Sequence, residues 1–169
     1  MTIGTIWVAF LVLQTTPEED VWKPLKYFVG EWRGQESGSA GVGRGERNYE
    51  LAIGGQYLVS RNTSVFEPQE KNPSGETHHD WAIFSYDRNR NLFVVRQFHS
   101  ESFVVQLKQD RATSNPDRFV FVSENVENGP PGLEVRLTLD IKNENQFVET
   151  FEVSGGMNVH LTNTWTRAR

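Results

Sequence analysis

Residues 79–99 read HDWAIFSYDRNRNLFVVRQFH, and this stretch shows the unit from which the rest of the chain is built. Two runs rich in aromatic and β-branched residues, 79–87 and 91–99, flank the polar segment DRNRN at 87–91. Runs of this kind on either side of Asn and Asp residues are typical of two antiparallel strands joined by a turn. The stretch therefore predicts a pair of adjacent strands.

The same pattern extends in both directions from this pair. Runs of about eight to ten residues alternate with Gly, Pro, Asn and Asp clusters such as Gly54-Gly55 and Gly155-Gly156. Ten strands are predicted, over 30–37, 43–53, 56–66, 79–87, 91–99, 102–109, 118–124, 133–140, 145–153 and 157–168. Ten short antiparallel strands have to hide their edges, and closure is the simplest way to do so. We therefore predict an all-β, up-and-down barrel of about ten antiparallel strands, with a two-sheet sandwich as the alternative.

A short helix is predicted ahead of the first strand, around residues 18–28. Pro17 can occupy the first turn of a helix, and apolar residues follow at helical spacing, namely Val21, Trp22, Leu25 and Phe28. A helix at this place would cap one end of the barrel.

Composition limits the functions that need to be considered. The 169 residues suffice for one domain around a single core. A net charge of −5 without a Lys and Arg cluster argues against nucleic-acid binding, and the absence of cysteine excludes disulfides and thiolate metal sites. No nucleophile motif is present, and carboxylates such as Glu36 and Asp80 are interpreted as solvated strand residues. The sequence therefore does not indicate an enzyme.

The first twenty residues differ from the rest of the chain. Ile6–Leu13 is apolar, too short to cross a membrane and long enough for the core of a signal peptide, although no basic residue precedes it. Residues 1–20 are therefore either a signal peptide or a disordered tail, and 21–169 form a single barrel domain. The first alternative implies export to the periplasm or beyond, the second a cytoplasmic protein. No integral membrane span is predicted.

Two distant residues suggest how the barrel closes. Gly30-Glu31-Trp32 begins the first strand, and Arg167 lies near the end of the last. This arrangement resembles the calycin superfamily, which includes lipocalins and fatty-acid-binding proteins. The resemblance implies a calycin-like barrel in which Arg167 crosses the Trp32 ring and joins the first strand to the last. A guanidinium over an indole contributes about 0.5–2 kcal/mol.

Three longer segments are similar to the DUF1579 and nitrobindin-like group of bacterial barrels: LKYFVGEWRG at 25–34, GGQYL at 54–58 and DWAIFSYD at 80–87. The resemblance implies a ten-stranded barrel and, in the nitrobindin branch, haem b held by a histidine near the chain end. His160 stands at a similar place. A haem protein acting on nitric oxide or peroxynitrite is thus one alternative, although alternation along the strand places His160 on its more polar, water-facing side.

Charged residues interrupt otherwise apolar stripes in three strands. Arg61, Arg96 and Glu149 would face the interior if their stripes do. A buried charge has to be paired, so these residues form either an internal Arg–Glu network or a site for the polar group of a ligand. The planar fork of Arg matches a carboxylate. Arg61 and Arg96 are therefore candidate anchors for a fatty-acid-like ligand, and the internal Arg–Glu network is the alternative.

The histidines of the central strand pair could hold a metal. If these strands pair about Asn89, His79 lies opposite His99, with Glu76 and Glu101 nearby in sequence. Two imidazoles and a carboxylate suit zinc or non-haem iron. The alternative is a solvated pair at the barrel rim.

The predicted function is non-enzymatic binding of a small apolar or amphipathic molecule, lipid or fatty-acid-like, inside the barrel and without a cofactor. The alternatives are the haem protein and a structural barrel without a ligand. The oligomeric state does not follow from the sequence.

Overall fold

The computed structural model describes residues 20–38, 41–156 and 158–168. It contains ten strands: β1 (Gly30–Gly38), β2 (Gly41–Ala52), β3 (Tyr57–Phe66), β4 (Glu76–Asp87), β5 (Leu92–His99), β6 (Val104–Gln109), β7 (Arg118–Glu127), β8 (Glu134–Asn143), β9 (Gln146–Ser154) and β10 (Val159–Arg167). Each corresponds to a predicted strand, with small shifts at the ends. Residues 1–19, which make up nearly all of the predicted signal peptide or tail, lie outside the described residues.

The ten strands form one closed sheet. Every strand pairs antiparallel with its neighbour in sequence, and β1 also pairs with β10. The predicted ten-stranded antiparallel barrel is therefore confirmed, and the sandwich alternative is wrong. Closure gives each strand two hydrogen-bonded neighbours, so none of the ten described strands forms an open sheet edge.

The predicted N-terminal capping helix is wrong. In the described part of the chain, residues 21–25 form hydrogen-bonded turns that lead into a three-residue 3₁₀ turn, Lys26–Phe28, and no α-helix is present. Pro24 explains the difference, because it has no amide hydrogen to donate and disfavours helical geometry at Lys23. The same described residues accordingly include no helix long and apolar enough to cross a membrane.

The turns nevertheless fill one end of the barrel. Trp22, Leu25 and Phe28 are 6%, 0% and 1% exposed. The Phe28 ring lies 5.7 Å from the Tyr49 ring on β2 and 5.1 Å from the Phe147 ring on β9, measured between centroids. We call Trp22, Leu25 and Phe28 the plug. Burial of these three side chains therefore stabilises the segment together with the backbone hydrogen bonds of its turns.

Arg167 and Trp32 meet where the first and last strands pair. They are Cα partners in the β1–β10 ladder, and the Arg167 guanidinium carbon lies 4.2 Å from the Trp32 ring centroid. Arg167 also donates to the backbone oxygens of Val29 and Tyr27 at 2.9 and 2.7 Å, and the Trp32 indole donates to that of Phe28 at 2.7 Å. These bonds attach the segment before β1 to both closing strands.

Large side chains fill the barrel next to the plug. The buried residues of this layer are Tyr49, Phe84, Phe119, Phe121, Leu137, Leu139, Phe147 and Trp165. The opposite half of the barrel, where β1 ends and β10 begins, is not filled in this way and contains the site described next.

Candidate functional site

A cavity of about 460 Å³ occupies the barrel end opposite the plug. Its lining includes the last residues of β1 and β3, Gly38 and Phe66, and the first residues of β4 and β10, Glu76 and Val159. Cavities of about 300–1,000 Å³ are the usual size of small-molecule sites. This end of the barrel could therefore hold a small ligand.

The cavity has two chemically different walls. The apolar wall comes mainly from β6–β10 and consists of Phe66, Phe103, Val105, Val126, Leu133, Val135, Phe151, Val153, Val159 and Leu161. The polar wall comes mainly from β1–β5 and consists of Glu36, Arg47, Asn62, Ser64, Glu76, His78, Asp80, Gln97, His99, Glu101, Glu149 and Asn163. The arrangement suits a molecule that is itself apolar on one side and polar on the other.

Arg47 is the charged centre of the polar wall. Its Nη1 and Nη2 atoms donate to Oε2 and Oε1 of Glu149, the latter at 3.1 Å, and the two side chains are only 10% and 9% exposed. The guanidinium carbon also lies 4.0 Å from the Trp165 ring centroid. Burial acts to lower the pKa of Arg47, but the charges and hydrogen bonds of Glu149 and Tyr49 together outweigh burial and raise it. Both terminal nitrogens of Arg47 therefore already donate to an internal carboxylate.

Glycines in β1 and β2 leave room for the indole beneath Arg47. A Cβ atom on Gly34 would lie 2.7 Å from Trp165, and one on Gly45 would lie 2.5 Å from the same ring. Both distances are far below normal contact. The glycine-rich part of β2 therefore allows close packing against Trp165.

Hydrogen bonds extend from Arg47 along the polar wall. Arg47 Nε donates to Asn62 Oδ1 at 3.1 Å, and Asn62 Nδ2 donates to Ser64 Oγ at 2.8 Å. Ser64 Oγ in turn donates to Glu36 Oε1 at 2.8 Å, and Asn62 Nδ2 also lies 3.4 Å from Asp80 Oδ2. The wall is thus one connected network, which restricts the positions of its polar groups.

Glu36 is a buried carboxyl group on this wall, with 7% of its surface exposed. Burial raises its pKa above the ordinary value of 4.5, and the nearby charges of Glu149 and Asp80 act in the same direction. The hydrogen bond from Ser64 and the charge of Arg47 oppose this rise without cancelling it. Ionised Glu36 is therefore destabilising for the folded protein.

Replacing Glu36 by Gln is expected to stabilise the protein at neutral pH. Because the folded state binds the Glu36 proton more tightly than the unfolded state, the contribution of Glu36 to wild-type stability falls as pH rises above 4.5. The advantage of Glu36→Gln should therefore be small at pH 4 and grow toward pH 7, as measured by urea unfolding. Glu46→Gln, at an exposed position of β2, serves as the control. An advantage of the Glu36 variant that does not change with pH would contradict this account.

Two histidines and two carboxylates form a cluster near the cavity mouth; we call His78, Asp80, His99 and Glu101 the His-carboxylate cluster. His99 Nδ1 lies 2.9 Å from Asp80 Oδ1, and His78 Nδ1 contacts Glu101 Oε1. Burial acts to raise the pKa of Asp80, but hydrogen bonds with His99 and Asn62 outweigh it and the pKa is lowered. Burial acts to lower the pKa of His78, but its bonds to carboxylates prevail and the pKa is raised.

The structure places Arg61 and Arg96 on the outside of the barrel, so their predicted inward orientation is wrong. Both are exposed, and neither lines the cavity. Arg61 pairs with Glu50, and its guanidinium carbon lies 4.9 Å from the Trp81 ring centroid. Glu149 does face the interior, where its partner is Arg47.

The composition of β3 explains the error at Arg61. Its inner face carries Ser60, Asn62 and Ser64, whereas Val59 and Val65 alternate with them and lie on the other face with Arg61. Because the cavity has a polar wall here, the polar residues of β3 face inward and the apolar residues face outward, which is the reverse of the usual arrangement.

The structure also separates the two histidines predicted as metal ligands. Asp80, not His79, is the Cα partner of His99, so His79 lies on the outer face and contacts Thr63 at 3.2 Å. His99 faces the cavity, where it is joined by His78. Because the observed pairing differs from the predicted one by one residue, His78 rather than His79 faces the cavity with His99.

His160 does not fit the haem ligand that the family resemblance implies. Its side chain is 66% exposed and lies 3.4 Å from Glu152 Oε1. Val159 and Leu161 on either side of it line the cavity, whereas His160 lines an adjoining depression of about 580 Å³. An axial ligand has to point at the haem it holds, so a haem in the barrel cavity could not be bound by His160.

Sequence reasoning missed most of the polar wall. Arg47, Glu36 and Asp80 are all on it, yet the last two look like solvated strand residues in the sequence. Arg47 shares its face of β2 with Gly45 and Tyr49, and glycine provides no apolar stripe to mark that face as internal. The large aromatic side chain of Tyr49, which is 2% exposed, is the feature of the sequence that could have marked this face of β2 as internal.

No family model and no curated protein matches the sequence. Among solved structures, the crystal structure of Rv2717c from M. tuberculosis is similar, with a TM-score of 0.62 and 12% identity over 88% of this chain and 98% of that chain. A redesigned β-barrel, mFAP0 bound to DFHBI, has a TM-score of 0.46 and 10% identity over 83% of this chain and 99% of its own. The likeness to Rv2717c shows that the two chains share the barrel fold.

Proposed function

We propose that the barrel acts by binding a small amphipathic molecule in its cavity rather than by catalysis. The observation that carries the proposal is a cavity of about 460 Å³ with one apolar and one hydrogen-bonded polar wall. The apolar part of the ligand packs against side chains such as Val105, Phe151 and Leu161. Its polar group faces the opposite wall, where it exchanges hydrogen bonds with water for hydrogen bonds with the protein.

The charges of the polar wall favour a neutral or cationic polar group over a carboxylate. Of the residues that the structure describes, five carboxylates line the cavity, from Glu36, Glu76, Asp80, Glu101 and Glu149, against the single guanidinium of Arg47. Glu149 already binds both terminal nitrogens of that guanidinium. A fatty-acid carboxylate would meet repulsion without a free arginine, whereas an alcohol or amine would find acceptors.

Displacement of a fluorescent probe tests this proposal. The full chain is titrated with the neutral probe N-phenyl-1-naphthylamine, which is then displaced by dodecylamine, dodecanol and dodecanoate. We expect the amine and the alcohol to displace the probe at concentrations at least about tenfold lower than the carboxylate, a difference of about 1.4 kcal/mol. Equal displacement by all three compounds would contradict the assignment of the polar group.

A pair of neighbouring variants locates the binding site. Leu161→Trp adds bulk to the apolar wall, whereas Thr162→Trp adds the same side chain at the next, exposed position of β10. The first variant should weaken probe binding at least about tenfold, and the second should leave it unchanged. Failure of the wild-type protein to bind the probe or any of the three compounds would instead support a structural barrel without a ligand.

A further inference from the structure

We propose that Asp80, His99 and Glu101 bind a divalent transition-metal ion, with zinc as the reference case, on the polar wall of the cavity. One potential ligand atom of each residue lies within 4.8 Å of those of the other two. Asp80 and His99 are Cα partners across β4 and β5, and Glu101 follows just beyond the end of β5. The site goes beyond amphiphile binding and does not depend on it.

The donor set matches the chemistry of such an ion. One imidazole nitrogen and two carboxylate oxygens are ligands of zinc and of several other first-row divalent metals. Three protein ligands leave a position for water or for a polar group in the cavity. The ion would therefore lie where it can contact a bound molecule.

The existing spacing is close to what the ion needs. Metal–ligand bonds of about 2.0–2.2 Å in tetrahedral geometry place the ligand atoms about 3.3 Å apart. His99 Nδ1 and Asp80 Oδ1 are already 2.9 Å apart. The ligand atom of Glu101 lies within 4.8 Å of those of Asp80 and His99, so a small adjustment of this exposed side chain, with its contact to His78 kept, completes the site.

The charge around these ligands favours a cation. Glu76, Asp80 and Glu101 provide three carboxylates around the two imidazoles of His78 and His99, so protonation of both rings would still leave a negative charge. Among the described residues that line the cavity, the one Lys or Arg side chain is Arg47, which Glu149 neutralises. A divalent ion would supply the missing positive charge.

His78 acts as a positioning residue for this site. Its Nδ1 atom contacts Glu101 Oε1, and its Nε2 atom lies 3.3 Å from Glu76 Oε1. A hydrogen-bonded partner of this kind orients a ligating carboxylate, and its loss typically lowers metal affinity about 10–100-fold. His99 also has a second ring nitrogen that could serve as a ligand atom, since its Nε2 atom is buried without a hydrogen-bond partner among the described residues.

Metal titration of the full chain, stripped with a chelator and without any amphiphile, tests the site. Calorimetry with Zn²⁺ should give one strong site per chain, and Co²⁺ should develop visible absorbance with the same stoichiometry. His99→Gln, Asp80→Asn and Glu101→Gln should each weaken binding at least about 100-fold, and His78→Gln about tenfold or more. Glu101 is exposed, so its variant is not expected to disturb folding, which circular dichroism checks.

Matched controls use the two histidines on the outer surface. His79→Gln and His160→Gln should keep wild-type affinity and stoichiometry, because neither side chain lines the cavity. The proposal is overturned if the wild-type chain binds no ion, if Glu101→Gln binds as the wild type does, or if a surface-histidine variant abolishes binding. Because no amphiphile is present, a negative result here leaves the probe displacement experiment unaffected, and the reverse also holds.

Discussion

Replacing Glu149 by Gln is expected to lower the free energy of unfolding by about 3–5 kcal/mol, because Arg47 would remain buried without a charge partner. The two side chains are only 10% and 9% exposed where they line the cavity, so water in the cavity replaces the lost carboxylate only in small part. Urea unfolding followed by circular dichroism provides the measurement. Glu152→Gln, on the same strand with a side chain 44% exposed, should change stability by less than about 1 kcal/mol.

A double variant distinguishes the destabilisation caused by an unpaired buried charge from the contribution of the ion pair itself to the free energy of unfolding. Arg47→Met combined with Glu149→Leu removes both charges and keeps similar side-chain volume. Since an apolar pair can often replace a buried ion pair without loss of stability, the double variant should recover most of the free energy of unfolding that is lost in Glu149→Gln. Arg47 also donates hydrogen bonds to Tyr49 Oη at 3.2 Å and to Asn62 Oδ1 at 3.1 Å, and equal destabilisation in both variants would show that these bonds, rather than the charge balance of Arg47, stabilise the fold.

Replacing Phe28 by Ala is expected to lower the free energy of unfolding by about 3–5 kcal/mol, because the change leaves a cavity in a closed aromatic layer. Phe28 is 1% exposed and contacts the rings of Tyr49, Phe119 and Phe147. Its position in the plug gives the surrounding strands little freedom to collapse into the gap. Thermal and urea unfolding provide the measurement.

The matched control for this change is another phenylalanine. Phe98 lies on β5 and is 42% exposed, so Phe98→Ala should cost less than about 1 kcal/mol. If Phe28→Ala were equally mild, the plug would not contribute to the stability of the barrel. The probe binding site, at the other end, should remain intact in both variants.

Much of the fold could be predicted from the sequence, and the reason is visible in particular strands. The segment 79–99 has turn residues between two runs of high β propensity, and it forms the β4–β5 pair. Trp32 and Arg167 are far apart in sequence, yet closure of the sheet makes them Cα partners. The prediction of a capping helix was wrong because it rested on the helical spacing of Val21, Trp22 and Leu25 and ignored Pro24, which disrupts an α-helix.

The candidate site was predictable only in part. Glu149 and His99 were identified as site residues and do line the cavity, whereas Arg61, Arg96, His79 and His160 do not. The errors at Arg61, Arg96 and His79 concern the face of a strand or its register. His160 differs, because alternation along β10 predicts its water-facing position and only the family resemblance suggests a haem ligand. A shift of one residue moves a side chain from inside to outside, and sequence boundaries are not known to that accuracy.

The sequence by itself determined the number and order of the strands, because turn chemistry and β propensity act over a few neighbouring residues. Only the tertiary structure decided which face of each strand looks inward at the open end of the barrel. A period-two pattern says that Asn62 and Ser64 share a face, but not that this face is internal. That depends on contacts with Arg47 and Glu36 from other strands, since polar side chains can be buried only where distant partners satisfy them.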